Sequence, residues 1–282
     1  MAEEKNIISK VLFLPLVAIN PGSCQLLAIL NRTLLLAITL INLTMPCNTT
    51  LTKTRSGLTL YYTPLSMYSR PVWLTLLEKN LDFELVSLKL NGDQWQPEFL
   101  EINPFNHVPV LVDDGFRVFE SLAILDYIEA KYPTPTLLPT EVKALALVRM
   151  VEMVTMNELV PASLTLIRET RDLQRIQQAN RTVKVTLTFL EENLRNSPYL
   201  GSQTLTFADI VAGAFVTLLP YLNISVAPYP NLATWFEGLM QREGWKIIQP
   251  NPEVMEDWIR RVRVLPRVRR RQYGVSPGYD RK

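Results

Sequence analysis

The sequence predicts an α/β domain of order βαβαββα followed by an all-α helical-bundle domain. Between residues 58 and 132, short apolar runs rich in β-branched and aromatic residues alternate with helical patterns. Residues 133–140 then carry three prolines, which interrupt both periodicities and indicate a linker. Beyond the linker, apolar residues recur at a spacing near 3.6, which is typical of helices packed in a bundle.

In the first domain, Leu58–Tyr62 is a β-type run, and the turn-like Thr63–Ser66 ends it. Ser69 is expected to cap the first helix, because serine is a favoured N-cap and Pro71 is tolerated in a first turn. The remaining elements are expected at Phe83–Leu88 (strand), Pro97–Ile102 (helix), Val108–Val112 (strand), Asp113–Gly115 (hairpin turn), Phe116–Phe119 (strand) and Ser121–Lys131 (helix). This order requires a mixed sheet with a right-handed crossover.

In the second domain, the clearest helix start combines Thr206 as N-cap, Asp209 closing a capping box, and Leu205 with Ile210 as a hydrophobic staple. Helices are expected at 141–170, 172–195, 206–222 and 231–242. The predicted domains are 1–57 (an N-terminal extension), 58–132, the linker 133–140, 141–258, and a basic tail at 259–282.

The composition excludes several classes of function. The 282 residues are 48% hydrophobic and 20% charged, a balance typical of a folded globular chain. His107 is the only histidine, and Cys24 and Cys47 are the only cysteines, which excludes zinc ribbons, HExxH sites and a disulfide framework. The glycines form neither GxGxxG nor the phosphate-binding GxxxxGKS/T. We therefore expect no metal and no nucleotide cofactor.

The extension at residues 1–57 allows two interpretations. Between Lys10 and Lys53 its only charge is Arg32, but the apolar run Leu34–Leu43 is half the roughly 20 residues needed to cross a membrane. It could be a targeting segment. Alternatively, it lies outside the functional domain and the translated chain begins nearer Met45, which we favour.

The charge is unevenly spread. Residues 259–282 hold nine lysines or arginines against Asp280 alone, whereas residues 58–258 hold 15 basic and 24 acidic groups. Such a tail would be attracted to acidic surfaces: nucleic acid, anionic lipid or an acidic protein. Because no aromatic residues are interleaved with its arginines, we expect no specific nucleic-acid site and a solvated, disordered tail.

Three segments carry a family resemblance. They are Ser66-Met67-Tyr68-Ser69-Arg70-Pro71-Val72, Ile102-Asn103-Pro104-Phe105-Asn106-His107-Val108-Pro109-Val110 and Phe119-Glu120-Ser121-Leu122-Ala123-Ile124. Together and in this order, over about residues 58–245, they resemble the cytosolic glutathione transferases, especially the serine-type, theta-like class. The resemblance implies a thioredoxin-like first domain, glutathione as co-substrate, a small-molecule electrophile, a homodimer and a cytoplasmic location.

The resemblance also implies roles for individual residues. Ser66 would donate a hydrogen bond to the glutathione thiolate, although Tyr62 lies where tyrosine-type transferases place their donor. The glutathione-binding residues would be Gln94, His107, Val108, Pro109, Glu120 and Ser121. Pro109 would have a cis bond, and Glu120 and Ser121 would hold the γ-glutamyl group. The family more often has Gly-Lys where this chain has Asn106-His107, which implies a weaker or pH-dependent contact with the glycyl carboxylate.

The implied activity is conjugation of the glutathione thiolate to electrophiles. Met150, Met153 and Met156, with Val154 and Leu159, would form an adaptable apolar wall for the acceptor, although such a stripe is also typical of a core. Two alternatives remain open. One is a non-catalytic interaction protein similar to stringent starvation protein A, and the other is a glutathione-dependent isomerase, dehalogenase or peroxidase.

Overall fold

A computed structural model describes residues 57–273. The expected extension lies outside the described residues except for Gly57, as does the end of the tail after Tyr273.

The first domain has the predicted order of elements. These are β1 (Leu58–Tyr62), α1 (Ser69–Glu78), β2 (Glu84–Ser87), a 3₁₀ turn (Asp93–Trp95), α2 (Pro97–Ile102), β3 (Val110–Asp113), β4 (Phe116–Phe119) and α3 (Ser121–Lys131). Only the 3₁₀ turn was not predicted. The strand β3 begins two residues later than expected, because Pro109 lacks the amide N–H that a ladder needs.

The sheet is mixed and has the strand order β2-β1-β3-β4. β1 runs parallel to β2 and antiparallel to β3, and β3 runs antiparallel to β4. The chain therefore leaves β1, β2 and β4 and enters β3 at the same edge of the sheet. We call this edge the exit end. Alternate residues of β1, Leu58, Leu60 and Tyr62, are buried in the core.

The second domain is helical, as predicted. Its elements are α4 (Val142–Val154), a π-helical turn (Thr155–Leu159), α5 (Val160–Arg168), α6 (Leu173–Asn193), α7 (Phe207–Val216), a 3₁₀ turn (Leu219–Leu222), α8 (Pro230–Gln241), α9 (Glu243–Ile248) and α10 (Pro252–Tyr273). Among residues 57–273, the helical stretch Val142–Arg168 is the one long and apolar enough to cross a membrane. Half of its most apolar window is buried, as in a core helix.

The helix α7 forms the centre of this domain, and every residue from Phe207 to Val216 is buried. The predicted capping box is confirmed: Asp209 accepts a hydrogen bond of 2.9 Å from the Thr206 backbone N–H. Asp209 also accepts bonds from the Leu200 N–H at 2.8 Å and from Trp235 Nε1 at 2.9 Å. One carboxylate thereby fixes α7, α8 and the loop before α7.

The prediction of a disordered tail is wrong for residues 259–273, which continue α10. Val262 is buried, and the Arg263 Nε donates a hydrogen bond of 3.1 Å to the Ile167 carbonyl of α5. Met255, Ile259 and Val262 recur at helical spacing and supply an apolar face. The arginines dominate the composition of this segment and concealed that periodicity.

Candidate active site

The exit end of the sheet brings the predicted site residues together. In the ladder, Tyr61 pairs with Val110, and Val110 pairs with Phe119. The residues just beyond these partners, Pro109 and Glu120, therefore lie at this edge. Leu88 follows β2 and donates its N–H to the Tyr62 carbonyl at 2.8 Å, so the segment leading to Gln94 also leaves the sheet here.

Ser66 lies in the turn between β1 and α1 and is half-buried. Its N–H donates to the Thr63 carbonyl at 2.9 Å, which closes the turn. The Ser69 N–H donates to the Ser66 carbonyl at 3.0 Å and also to the Ser66 Oγ at 3.2 Å, and the same carbonyl accepts from the Arg70 N–H at 3.0 Å. A hydroxyl oxygen that accepts from an amide keeps its own proton to donate. Ser66 is therefore a polarised donor at the start of a helix.

Ser69 is not the helix cap that the sequence predicted. It is the first residue of α1, it is fully buried, and its Oγ has no hydrogen-bond partner within residues 57–263. The residue before it, Tyr68, makes no side-chain capping bond. Ser66 instead satisfies the first free amide of the helix, because the turn before α1 already has helical geometry.

Tyr62 is turned into the core. The residue is buried, and its ring packs edge-on against Trp73 with centroids 5.1 Å apart. Burial raises the pKa of the Tyr62 hydroxyl above its ordinary value of 10.0. The alternation of β1 thus places Tyr62 on the face that packs against α1.

The loop before β3 is held by Asn103. This buried side chain donates from Nδ2 to the His107 carbonyl at 2.9 Å and accepts from the Phe105 N–H at 3.0 Å. The Val108–Pro109 bond is cis, as expected. His107 is exposed and Val108 is half-buried. In the sequence, Asn103 was noted only as a member of the segment 102–110. Nothing in that segment reveals its positioning role.

Gln94 lies in the 3₁₀ turn after β2 and is buried. Its Oε1 accepts a hydrogen bond of 3.2 Å from the Gly92 N–H, which leaves the side-chain amide group as a donor. The neighbouring Asp93 carboxylate accepts from the Leu90 N–H at 2.9 Å and fixes the turn.

Glu120 connects β4 to α3 with a φ of 69°, a region that a residue with a Cβ rarely occupies. It is exposed, whereas Ser121 is buried as the first residue of α3. Ser121 does not cap the helix, because Glu120 holds the N-cap position, without a side-chain capping bond. The first amides of α3 have no partner within the helix and face the exit end. A strained connector at such an end is common at ligand sites.

Arg70, whose guanidinium is fully buried, joins α1 to the helical domain, a structural role that the sequence did not reveal. Nε donates to the Ala214 carbonyl at 2.9 Å, and Nη1 donates to the Ile248 carbonyl at 2.5 Å. The third contact, from Nη2 to the Thr217 Oγ1, is 3.5 Å long. Burial lowers the pKa of Arg70 to about 9, so the group stays charged at neutral pH.

The acceptor wall predicted from the methionines is not formed as one surface. Met150 and Met153 are exposed, whereas Met156 and Leu159 are in the core. Apolar side chains next to Ser66 come from elsewhere. Leu65 packs in a cluster of residues after α7 and in α10: Leu218, Met255, Tyr221, Leu222, Trp258 and Ile259.

Two cavities lie in the helical domain, away from the residues at the exit end. One, of about 500 Å³, follows the segment Pro220–Ala227 and reaches Phe236. The other, of about 320 Å³, lies between the π-helical turn and α6 and includes Arg181. Within residues 57–273, no group of three or more His, Cys, Asp or Glu side chains is placed to hold a metal ion.

A four-stranded mixed sheet with a cis-proline loop at its exit end, joined to an all-helical domain, defines the class of glutathione transferase folds. Comparisons with known proteins agree. Residues 60–136 match the model of the glutathione S-transferase N-terminal domain, and residues 145–243 match that of the C-terminal domain. The chain belongs to the glutathione S-transferase family.

Individual relatives are similar over most of their length. Glutathione S-transferase D7 of Drosophila melanogaster is 32% identical over 199 residues, which covers 67% of this chain and 88% of that protein. Maleylacetoacetate isomerase of Rattus norvegicus is 27% identical over 185 residues, which covers 64% of this chain and 86% of that protein. A Sulfitobacter glutathione transferase homologue, solved with bound glutathione, has a TM-score of 0.60 at 25% identity and covers 68% of this chain and 96% of its own.

Proposed function

We propose that this chain conjugates the glutathione thiolate to small electrophilic molecules. The observation that carries the proposal is the geometry of Ser66. Its Oγ accepts the Ser69 N–H at the start of α1, and its proton is left to donate to a sulfur atom at the exit end. The two family matches and the glutathione bound to the Sulfitobacter homologue support the same co-substrate.

The remaining predicted residues would grip the tripeptide along the exit end. The Val108 backbone would pair with the cysteinyl backbone as a strand does, with the cis Pro109 next to it. Glu120 would pair with the γ-glutamyl ammonium, and the α3 N-terminus with Ser121 would hold its carboxylate. Gln94, whose amide group is left to donate, and His107 would hold the glycyl carboxylate.

The required energy is within the range of these contacts. An unperturbed thiol has a pKa near ~8.5, and lowering it by about two units takes roughly 2.7 kcal/mol. A hydrogen bond to a charged acceptor supplies about 1.5–3 kcal/mol, and a helix N-terminus adds about 0.3–1 kcal/mol. The buried Tyr62 has a raised pKa and packs on Trp73, which favours Ser66 as the donor.

Substitution of Ser66 tests the proposal. In Ser66→Ala with bound glutathione, we expect the thiol pKa, followed by the ultraviolet absorbance of the thiolate, to rise by about one to two units. The ratio kcat/KM at pH 7 should fall by about 10- to 100-fold and recover in part at higher pH. Ser66→Thr keeps the hydroxyl and Tyr62→Phe removes the other candidate, so both should stay near the wild type. If the thiol pKa is unchanged in Ser66→Ala while glutathione still binds, the proposal is wrong and a non-catalytic interaction protein is favoured.

A second candidate is glutathione-dependent isomerisation. The similarity to the rat maleylacetoacetate isomerase, which covers 86% of that enzyme, favours it. Both reactions begin with a thiolate, so Ser66→Ala should impair both equally. Product analysis with a cis-dienoic acid and with a chlorinated aromatic acceptor distinguishes isomerisation from conjugation.

We further propose a cytoplasmic homodimer with domain boundaries at 58–132, 133–140 and 141–258. Exposed apolar residues at helical spacing on α4, namely Val142, Met150 and Met153, support a subunit contact there. The helix α10 crosses the boundary at residue 258, so the second domain includes part of the basic segment. Sedimentation of the wild type and of Met150→Lys measures the oligomeric state.

A further inference from the structure

The helix α10 is anchored by its first half. Met255 and Val262 are buried against the helical domain, and the Arg263 Nε bonds to the Ile167 carbonyl. The helix continues to Tyr273, eleven residues beyond Val262, which at 1.5 Å per residue is about 16 Å. The second half of α10 is therefore carried on a fixed base.

Ideal helix geometry places most arginines of α10 in one stripe. From residue 260 to residue 271 there are seven arginines and no acidic residue. At 100° per residue, five of them fall within an arc of about 100°. They are Arg260, Arg263, Arg267, Arg270 and Arg271. An arc of similar width next to this stripe holds Val264, Leu265 and Val268, together with Arg261. The sequence thus places a basic face beside an apolar face along the same helix.

Little negative charge offsets the stripe where it begins. The side chains of Arg260 and Arg261 are 73% and 59% exposed and share one carboxylate, Asp257, at 3.5 and 2.6 Å. Farther along the helix, the sequence offers no acid before Asp280. From residue 258 to the last described residue of α10, every charged residue in the sequence is therefore basic.

We propose that the second half of α10 docks on the surface of an anionic phospholipid bilayer. A helix with an arginine-rich face beside an apolar face is the chemistry that binds in the interface of such a membrane. The apolar residues would enter the headgroup boundary while the arginines pair with lipid phosphates and carboxylates. Nucleic acid is the weaker match, because residues 260–271 contain no aromatic side chain to stack on bases. The proposal is independent of the reaction at Ser66.

Vesicle sedimentation of the full chain tests it. At 0.1 M salt we expect binding to vesicles with 30% phosphatidylserine, weak binding to pure phosphatidylcholine, and loss of binding at 0.5 M salt. Near a membrane surface, each arginine is worth about a fivefold change in partitioning. A variant with Arg260, Arg267, Arg270 and Arg271 changed to Gln, which keeps the anchoring Arg263, should therefore bind at least about 100-fold more weakly. Leu265→Ser with Val268→Ser should weaken binding to the anionic vesicles at 0.1 M salt.

The matched control removes four charges from α6 and from the turn just after it, by changing Arg175, Arg181, Lys184 and Arg195 to Gln. If the site is α10, this variant binds vesicles more than about tenfold better than the stripe variant. Equal losses in both variants would mean that net charge alone acts, and this overturns the proposal.

Undiminished binding of the stripe variant also overturns the proposal, because the vesicles would then be held by another segment such as residues 1–57. Binding to a 20-base-pair DNA duplex but not to vesicles would also overturn the proposal, and it would identify nucleic acid as the partner. Circular dichroism and conjugation activity, expected unchanged in every variant, separate a failed fold from a failed docking site.

Discussion

Replacing Arg70 by methionine should destabilise the protein by about 3 kcal/mol while keeping the Ser66 hydroxyl and its backbone bonds. The guanidinium lies in the first turn of α1 and bonds to carbonyls near the ends of two helices of the other domain, Ala214 in α7 and Ile248 in α9. Helix C-termini leave their last carbonyls without partners, and a cation there also interacts favourably with the helix dipole. Arg70 thereby caps two helices at once.

The magnitude follows from what the substitution leaves behind. The carbonyls of Ala214 and Ile248 are bonded at 2.9 and 2.5 Å, and each buried acceptor left unpaired costs about 1–3 kcal/mol. Methionine fills most of the volume, and removal of a charge whose burial lowers its pKa offsets part of the loss. A net loss of about 3 kcal/mol lowers Tm by about 6–12 °C at this chain length.

Urea unfolding monitored by circular dichroism measures the change. Thr217→Val removes the 3.5 Å contact and the Thr217 hydroxyl bond to the Gly213 carbonyl, and should cost about 1 kcal/mol. The thiol pKa of bound glutathione in Arg70→Met should move less than in Ser66→Ala, because the Arg70 N–H to the Ser66 carbonyl is a backbone bond. The reasoning is refuted if Arg70→Met is as stable as the wild type.

Further predictions concern carboxylates. Glu120→Ala should raise the KM for glutathione about tenfold with little change in kcat, since its role is to hold the ammonium; an equal fall in kcat would contradict this. Asp209→Asn places an amide where four donors converge, and it should lower the free energy of unfolding, measured in urea, by about 2–4 kcal/mol. The control Asp172→Asn, at an exposed N-cap, should lower it by less than about 1 kcal/mol. Burial raises the pKa of Glu152 above 4.5 despite its bond to Arg149, so the folded state holds that proton more tightly and stability falls as pH rises above about 4.5. The stability of Glu152→Gln relative to the wild type should therefore improve from pH 4 to pH 7, and a constant difference would exclude the effect.

The sequence predicted the elements that depend on local patterns. The strand Leu58–Tyr62, the strand Phe116–Phe119 and the helix Ser121–Lys131 have the predicted bounds, because alternation, turn residues and helical spacing are all encoded within a few residues. The capping box of α7 was found for the same reason. The helices α9 and α10 were missed. The first is only six residues long, and the arginines concealed the apolar face of the second.

The candidate site was predicted less completely than the fold. The resemblance supplied Ser66, the loop to Pro109 and the pair Glu120–Ser121, and the strand order explains why they lie at one edge of the sheet. Which serine bonds to the first amide of α1 depends on the backbone of one turn, and the spacing of Ser66 and Ser69 could not decide it. The positioning role of Asn103 depends on its burial under a loop, which leaves no local pattern.

Contacts from the helical domain fix the turn that carries Ser66, and local patterns cannot show them. Arg70 reaches acceptors 144 and 178 residues away in the chain, and Leu65 packs on Leu218 and on Met255 of α10. Since both contacts lie within five residues of Ser66, a change that removes the packing of Met255 or moves the Ile248 carbonyl should shift the turn that carries the serine. A thioredoxin-like domain separated from its helices would lose both contacts. The position of the hydroxyl is thus a property of the two domains together.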